Sequence, residues 1–149
     1  MKDLEELVYF LGIQVTHTVN EFHLSQQKYI KDLLGKTKML QAKDLLIPMT
    51  SGLKISSQDG VPAEDAQLYR SAVGALQYVT VSKPKLAYSV DKICQFMKRL
   101  TDEHWKVVKR VMRHLTTTMD YDIHLKKAAE LSLIEFSDVD WIQALMIDD

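Results

Sequence analysis

The stretch LYRSAVGALQYVTV, residues 68–81, carries the clearest helical pattern of this 149-residue chain. Asp65 lies just before it and is a typical N-cap, because its carboxylate can accept the free amide hydrogens of a first turn. Apolar residues recur at three- and four-residue steps and would share one face of the helix: Leu68, Ala72, Ala75, Leu76 and Val79. Burial of that face requires apolar partners from the neighbouring sequence.

Two further helices are predicted after this stretch. Pro84 favours the first turn of a helix that continues over KLAYSVDKICQFM (85–97), since its missing N–H is not needed there. Thr101 is a candidate N-cap for DEHWKVVKRVMRHLTTT (102–118). The last of these helices has an apolar stripe that we expect to face the core: Trp105, Val108, Met112 and Leu115.

The same helix carries four positive charges, which at ~100° per residue lie about a quarter turn from that stripe: Lys106, Lys109, Arg110 and Arg113. From Lys83 to Arg113 nine basic residues stand against three acids, although the formal net charge of the chain is −1. Two interpretations remain open at this point. The segment is either a face that binds nucleic acid or a solvated helix surface.

The N-terminal region is predicted to form a β-hairpin followed by a helix. LVYFLGIQVTHT (7–18) has strand composition interrupted by Gly12, and EFHLS (21–25) alternates as the return strand. A glycine inside a strand indicates a bulge or the close approach of another backbone. Ser25 is a candidate N-cap for a helix within QQKYIKDLLGKTKM (26–39).

The remaining segments complete a predicted α+β fold. Residues 41–64 are rich in glycine, proline and small polar residues and indicate a long irregular connection. YDIHL (121–125) and LSLIEF (131–136) are predicted to close the chain as a strand pair. The expected divisions are therefore a hairpin with its helix (1–40), the connection (41–64), a helical bundle (65–118) and a strand-bearing end (119–149).

Composition narrows the class of protein. Hydrophobic residues make up 46% and charged residues 26%, as in globular proteins. No apolar run approaches the ~20 residues of a membrane span, and the first residues do not resemble a signal peptide. We therefore expect an intracellular protein, in the cytoplasm or nucleus, without a membrane partner. The single cysteine, Cys94, suits a reducing compartment, and its apolar helix favours a buried structural thiol over a nucleophile.

Common catalytic and cofactor motifs do not occur in the sequence. Its five histidines are scattered without a pair at metal-ligand spacing, and we expect His104 and His114 to face solvent. There is no glycine-rich phosphate loop and no nucleophile elbow. We therefore expect no bound cofactor and no small-molecule substrate. Asp138 in SDVDW (137–141) follows a predicted strand, which alone is a weak indication of a metal site.

Several stretches, taken in order, resemble the reverse transcriptase region of copia-type retrotransposon Pol polyproteins. The similarity covers residues 1 to about 141 and rests on MKDLEELVYFLGIQVTHT, FHLSQQKYIKDLL, IPM (47–49), LYRSAVGALQYVTVSKPKLAYSVDKICQFM, HWKVVKRVMRHL and LSLIEFSDVDW. The resemblance implies that 1–40 is the end of a polymerase palm and that 65–118 is a thumb-like region. It also implies that 119–149 is the truncated start of a ribonuclease H domain.

The resemblance further implies which residues contact nucleic acid. The hairpin residues Leu11, Gly12 and Ile13 would lie near the primer terminus, and Gly74, Gln77 and Tyr78 near the duplex. Lys83, Lys106, Lys109, Arg110 and Arg113 would contact the phosphates of an RNA–DNA or DNA duplex, weakly and without reading sequence. Structural alternatives remain open, namely a bulge at Gly12, a tight helix crossing at Gly74 and a partly buried position for Tyr78.

Asp138 matches the first metal-binding aspartate of the ribonuclease H site, in a family that uses Mg²⁺. A two-ion site needs several carboxylates, and the resemblance implies that its partners and the polymerase aspartates lie outside this sequence. We therefore expect a reverse transcriptase fragment without an intact catalytic centre. The alternatives are a subunit completed by a partner chain and a folded remnant or binding module without activity. SDVDWIQ, SKPKL and RHLTTT depart from the family's SDADWAG, TRPDI and RYLKGT, as in a decaying copy.

Overall fold

A computed structural model describes residues 7–50, 60–98 and 100–126 of the chain. Within these ranges a four-stranded antiparallel sheet accompanies a group of helices, which confirms the predicted α+β class. The predicted strand at 131–136 and the candidate ligand Asp138 lie outside the described residues. None of the helices in the described part of the chain is long and apolar enough to cross a membrane.

The sheet has the order β1-β2-β3-β4 and consists of β1 (Tyr9–Phe10), β2 (Ile13–His17), β3 (Glu21–Ser25) and β4 (Ile123–Lys126). Phe10 pairs with Ile13, so Leu11 and Gly12 alone form the turn between β1 and β2. Both turn residues have positive φ, 47° and 88°, which suits the twist of a two-residue hairpin. The prediction of a single strand with a bulge at Gly12 was therefore wrong, because the chain reverses there.

Strand β4 completes the sheet from the far end of the sequence. It pairs antiparallel with β3, with Leu24 opposite Ile123 and Glu21 opposite Lys126. The sequence predicted this strand, but as the partner of 131–136. The observed pairing joins the N-terminal hairpin to the segment that follows the helices.

The helices begin close to their predicted positions. They are α1 (Gln27–Lys36), α2 (Ala66–Val79), α3 (Ala87–Cys94) and α4 (Asp102–Thr117), and a 3-10 turn (Pro84–Leu86) precedes α3. The Asp65 carboxylate accepts a hydrogen bond from the Leu68 N–H at 2.7 Å, which confirms the predicted N-cap of α2. At α1 the N-cap position is Gln26, although the Ser25 Oγ accepts from the Gln27 N–H at 3.3 Å.

The core lies among the helices and contains the apolar face of each one. The buried residues include Ile30 and Leu34 of α1, Tyr69, Val73 and Leu76 of α2, Val90 and Ile93 of α3, and Val108, Val111, Met112 and Leu115 of α4. On α4, Val111 and His104 belong to the buried face, whereas Trp105 is only partly buried against it. The predicted stripe was therefore correct in part and displaced around the helix.

His104 is buried, so the prediction that it faces solvent was wrong. Its Nδ1 accepts a hydrogen bond from the backbone N–H of Thr101 at 3.0 Å, and its ring stacks on Phe96 with centroids 4.6 Å apart. The side chain thus reaches back to the N-cap residue, as Glu or Gln does in a capping box. His114 is partly buried, with its Nδ1 3.2 Å from the Leu45 carbonyl oxygen.

Candidate nucleic-acid interface

Tyr78 joins the predicted hairpin residues to helix α2. Its hydroxyl donates a hydrogen bond to the carbonyl oxygen of Leu11. Its ring lies 3.4 Å from the position that a Cβ on Gly12 would occupy, and it packs edge-to-face with Tyr29 at 5.0 Å between centroids. Burial raises the pKa of the Tyr29 hydroxyl, and the neighbouring Tyr78 adds to that rise. Residues that the sequence placed in separate segments are therefore in direct contact.

Gly74 lies one helical turn before Tyr78 on α2, and Gln77 is the residue directly before it. Both Gly74 and Gln77 are exposed. Apart from its chain neighbours and the backbone of α2, no atom of the described residues lies within 4 Å of the place that a Cβ on Gly74 would occupy. The alternative of a tight helix crossing at Gly74 is therefore wrong for the described part of the chain. We call Leu11, Gly12, Gly74, Gln77 and Tyr78 the turn patch. Ile13, which begins β2, is half-buried beside it.

The cationic row consists of Lys106, Lys109, Arg110 and Arg113, which follow one another at steps of three, one and three residues on α4. Such spacing places all four side chains on one face of a helix. At ~100° per residue that face lies about half a turn from the buried one. The predicted quarter turn was too small, and the inclusion of His104 and Val111 in the buried face moves that face further from the row.

The four cations of this row differ in their surroundings. Lys106 Nζ lies 2.5 Å from Glu103 and 3.8 Å from Asp102, and the hydrogen bond to Glu103 raises the pKa of the lysine. Lys109 Nζ lies 5.7 Å from the centroid of the Trp105 ring. Arg110 is half-buried, and its Nε is buried without a hydrogen bond among the described residues. Arg113 is exposed. The positive charge of Lys106 is thus partly neutralised within the chain, whereas Arg113 is exposed and has no ion pair with the described residues.

Lys83 has a different environment from the other predicted phosphate contacts. Its side chain is buried, and its Nζ donates to the backbone oxygens of Thr118, at 2.8 Å, and Tyr121. Burial lowers the pKa of the lysine, although the nearby carboxylates of Asp122 and Asp120 act in the opposite direction. The ammonium group therefore connects the end of α2 to the segment before β4 and does not extend the exposed cationic row.

A cluster that the sequence did not predict lies on the sheet. Glu21 and His23 of β3 and His124 of β4 place three possible metal-ligand atoms within 4.8 Å of one another. The two histidines are far apart in the sequence and become neighbours only because His23 pairs with His124 in the β3–β4 ladder. The alternation of polar and apolar residues in EFHLS indicates that Glu21 and His23 share one face of their strand. It does not indicate that this strand pairs with the one in YDIHL.

Comparison with known proteins identifies the family. The chain is 43% identical over 141 residues to the retrovirus-related Pol polyproteins from transposons RE2 and RE1 of Arabidopsis thaliana. It is 36% identical over the same length to the uncharacterized mitochondrial protein AtMg00810 of that species. These alignments cover 95% of the chain but 10% of each polyprotein and 58% of the mitochondrial protein. No family profile matches the chain, and no solved structure does.

These relatives place the chain in the class of retrovirus-related Pol polyproteins of transposable elements. Within that class it belongs to the copia-type retrotransposon family, as the sequence resemblance predicted. The chain spans about a tenth of the length of the polyproteins that it matches.

Proposed function

We propose that the chain is the part of a copia-type reverse transcriptase, an RNA-directed DNA polymerase, that binds the backbone of the primer–template duplex. The contact between Tyr78 and Leu11 carries this proposal, because it connects the β1–β2 turn to the exposed face of α2. A rigid contact of this kind would hold both parts of the turn patch at a fixed distance from one duplex.

The charges on α4 support the same proposal. The cationic row lies opposite the buried face of α4, with Lys106 and Arg113 exposed and Lys109 and Arg110 half-buried, so the row can present charge to phosphates without disturbing the core. Phosphate contacts supply affinity that does not depend on base sequence. A polymerase needs such contacts because it moves along any template. Lys83 is excluded from the proposed surface because it is buried and bonded to two carbonyl oxygens.

The proposal is tested by fluorescence anisotropy with a labelled RNA–DNA hybrid at several salt concentrations. Three phosphate contacts predict a slope of log K against log salt of about −2 to −3. The variant Lys109→Glu, Arg110→Glu, Arg113→Glu should lose both the binding and the slope. Unchanged affinity in this variant would contradict the proposed surface.

A matched control distinguishes the effect of removing this surface from the effect of changing the net charge of the chain. Lys31, Lys36 and Lys38 are exposed on or just after α1, away from the α4 helix in sequence. The variant Lys31→Glu, Lys36→Glu, Lys38→Glu changes the charge by the same amount. It should retain more affinity than the α4 variant at every salt concentration, and circular dichroism should show that both variants are folded.

A second candidate is a nucleic-acid-binding module without activity of its own. The alignment of 141 residues covers 58% of the mitochondrial protein but 10% of the polyproteins, so related sequence also occurs in a much shorter protein. A primer-extension assay with Mg²⁺, run with and without a separately purified palm region that carries the polymerase aspartates, separates the two candidates. Extension that requires both proteins favours the reverse transcriptase part, whereas hybrid binding without extension in either mixture favours the module.

A further inference from the structure

The cluster of Glu21, His23 and His124 has the composition of a transition-metal site. Glu21 and His23 are two residues apart on β3, so their side chains share one face of the sheet. His124 lies directly opposite His23 on β4, and the two rings stack with centroids 4.0 Å apart. The three side chains thus converge from two strands that are joined by backbone hydrogen bonds.

The distances within this cluster are too long for hydrogen bonds and suit a shared ion. His23 Nε2 lies 3.6 Å from Glu21 Oε1, and His124 Nδ1 lies 3.9 Å from Glu21 Oε2. Direct hydrogen bonds between such groups are about 2.7–3.2 Å long. Ligand atoms around a tetrahedral zinc ion, each at about 2.0–2.1 Å, are separated by about 3.3 Å. Small side-chain adjustments would bring all three atoms onto one ion.

Two of the polar atoms are buried without a hydrogen bond in the described part of the chain. They are Glu21 Oε2 and His23 Nε2. A buried acceptor that lacks a partner destabilises the folded state by about 1–3 kcal/mol. A bound cation would satisfy both atoms at once, and because His124 is exposed the ion has a path to enter.

We infer that Glu21, His23 and His124 form a binding site for a divalent transition-metal ion, with zinc as the expected occupant. Two imidazoles and one carboxylate favour zinc over Mg²⁺ or Ca²⁺, which prefer sets of oxygen ligands. Water would supply the fourth ligand. The ion would fasten β4 to β3 and so link the two distant segments of the chain. This inference does not depend on the proposed binding of nucleic acid.

The test begins with the whole chain, freed of metal by a chelator and then titrated with zinc chloride in a calorimeter. We expect one zinc ion per chain and a rise in the unfolding temperature, since a ligand that binds the folded state stabilises it. Magnesium chloride at the same concentration should leave the unfolding temperature unchanged. A folded chain that fails to bind zinc at one equivalent would overturn the inference.

Variants then locate the ion. His124→Asn and Glu21→Gln should each weaken zinc binding by at least about tenfold. His17→Asn is the matched control, because His17 pairs with Phe22 and therefore lies on the other face of the same sheet. It should bind zinc as the parent chain does. Equal loss in the control, or unchanged affinity in His124→Asn, would contradict the site.

A spectroscopic measurement on the parent chain tests the site without relying on variants that could fold poorly. Cobalt(II) in a tetrahedral protein site absorbs visible light, so it reports the coordination of the parent chain directly. Visible bands that zinc displaces at one equivalent would support the site. A cobalt spectrum that does not change when the chain is added would overturn the inference.

Discussion

The ammonium group of Lys83 lies 2.8 Å from the carbonyl oxygen of Thr118, in a position where the lysine side chain is buried. Lys83 lies four residues after the end of α2, and Thr118 is the C-cap residue that follows α4. One buried charge thus holds together the ends of two helices and the segment that leads into β4. Because burial disfavours the charged form of the lysine, the pKa of Lys83 is lowered.

This lowered pKa predicts a pH dependence of stability. Between the lowered value and the ordinary value of 10.5, the unfolded chain binds more protons at Lys83 than the folded chain does. The free energy of unfolding should therefore rise with pH through that interval. Lys83→Met lacks this titration, so the stability of the parent chain relative to the variant should increase towards pH 10.5. Urea unfolding of both proteins at several pH values measures this difference in stability. A difference that stays constant with pH would contradict the prediction.

Leu11 predicts a variant that separates stability from binding. Its φ of 47° is unfavourable for a leucine, and its side chain is 72% exposed, so it gains little from burial. Asparagine tolerates this conformation, and Leu11→Asn should raise the free energy of unfolding by about 0.5–1 kcal/mol. The same variant should bind the RNA–DNA hybrid less tightly if the leucine contacts the primer strand. Thermal unfolding and anisotropy on one preparation measure both effects.

Gly74 predicts a second stabilising change. The glycine is exposed within α2, and the space around its Cα is open among the described residues. Gly74→Ala should stabilise the chain by about 0.5–1 kcal/mol, since alanine has the higher helix propensity. Gly12→Ala is the contrasting variant and should destabilise it, because the φ of 88° is unfavourable for alanine. Chemical denaturation of both variants checks the opposite signs.

His104 predicts a graded loss of stability. His104→Ala removes the acceptor for the Thr101 N–H and the ring that stacks on Phe96. The expected cost is about 1–3 kcal/mol, from the lost cap and the cavity together. His104→Gln can still reach the Thr101 N–H and should recover part of that loss. Equal stability of the alanine variant and the parent chain would show that this contact is unimportant.

The cationic row predicts unequal contributions to nucleic-acid binding. Arg113→Ala should reduce the slope of log K against log salt by about 0.9, as expected for one phosphate contact. Lys106→Ala should reduce it by less, because Lys106 is already paired with Glu103 and Asp102. Anisotropy titrations of the two single variants compare them directly. A larger effect at Lys106 would mean that its ion pairs open when the duplex binds.

The sequence by itself determined the helices and the family. Asp65 and the apolar spacing after it located α2, since capping and helical periodicity are local properties of the chain. Charge spacing likewise located the cationic row on α4. The order of the motifs identified the copia-type family before any contact was known, and the 43% identity to two polyproteins bears this out.

Only the tertiary structure decided how those elements meet. The burial of Lys83, the reversal at Leu11–Gly12 and the contact from Tyr78 to Leu11 each depend on residues distant in sequence or on backbone angles. The pairing of His23 with His124 is of the same kind. Helix periodicity reports which face of an element is apolar, but it does not state which element covers that face. That choice is made by packing and by strand pairing, which act across the whole chain.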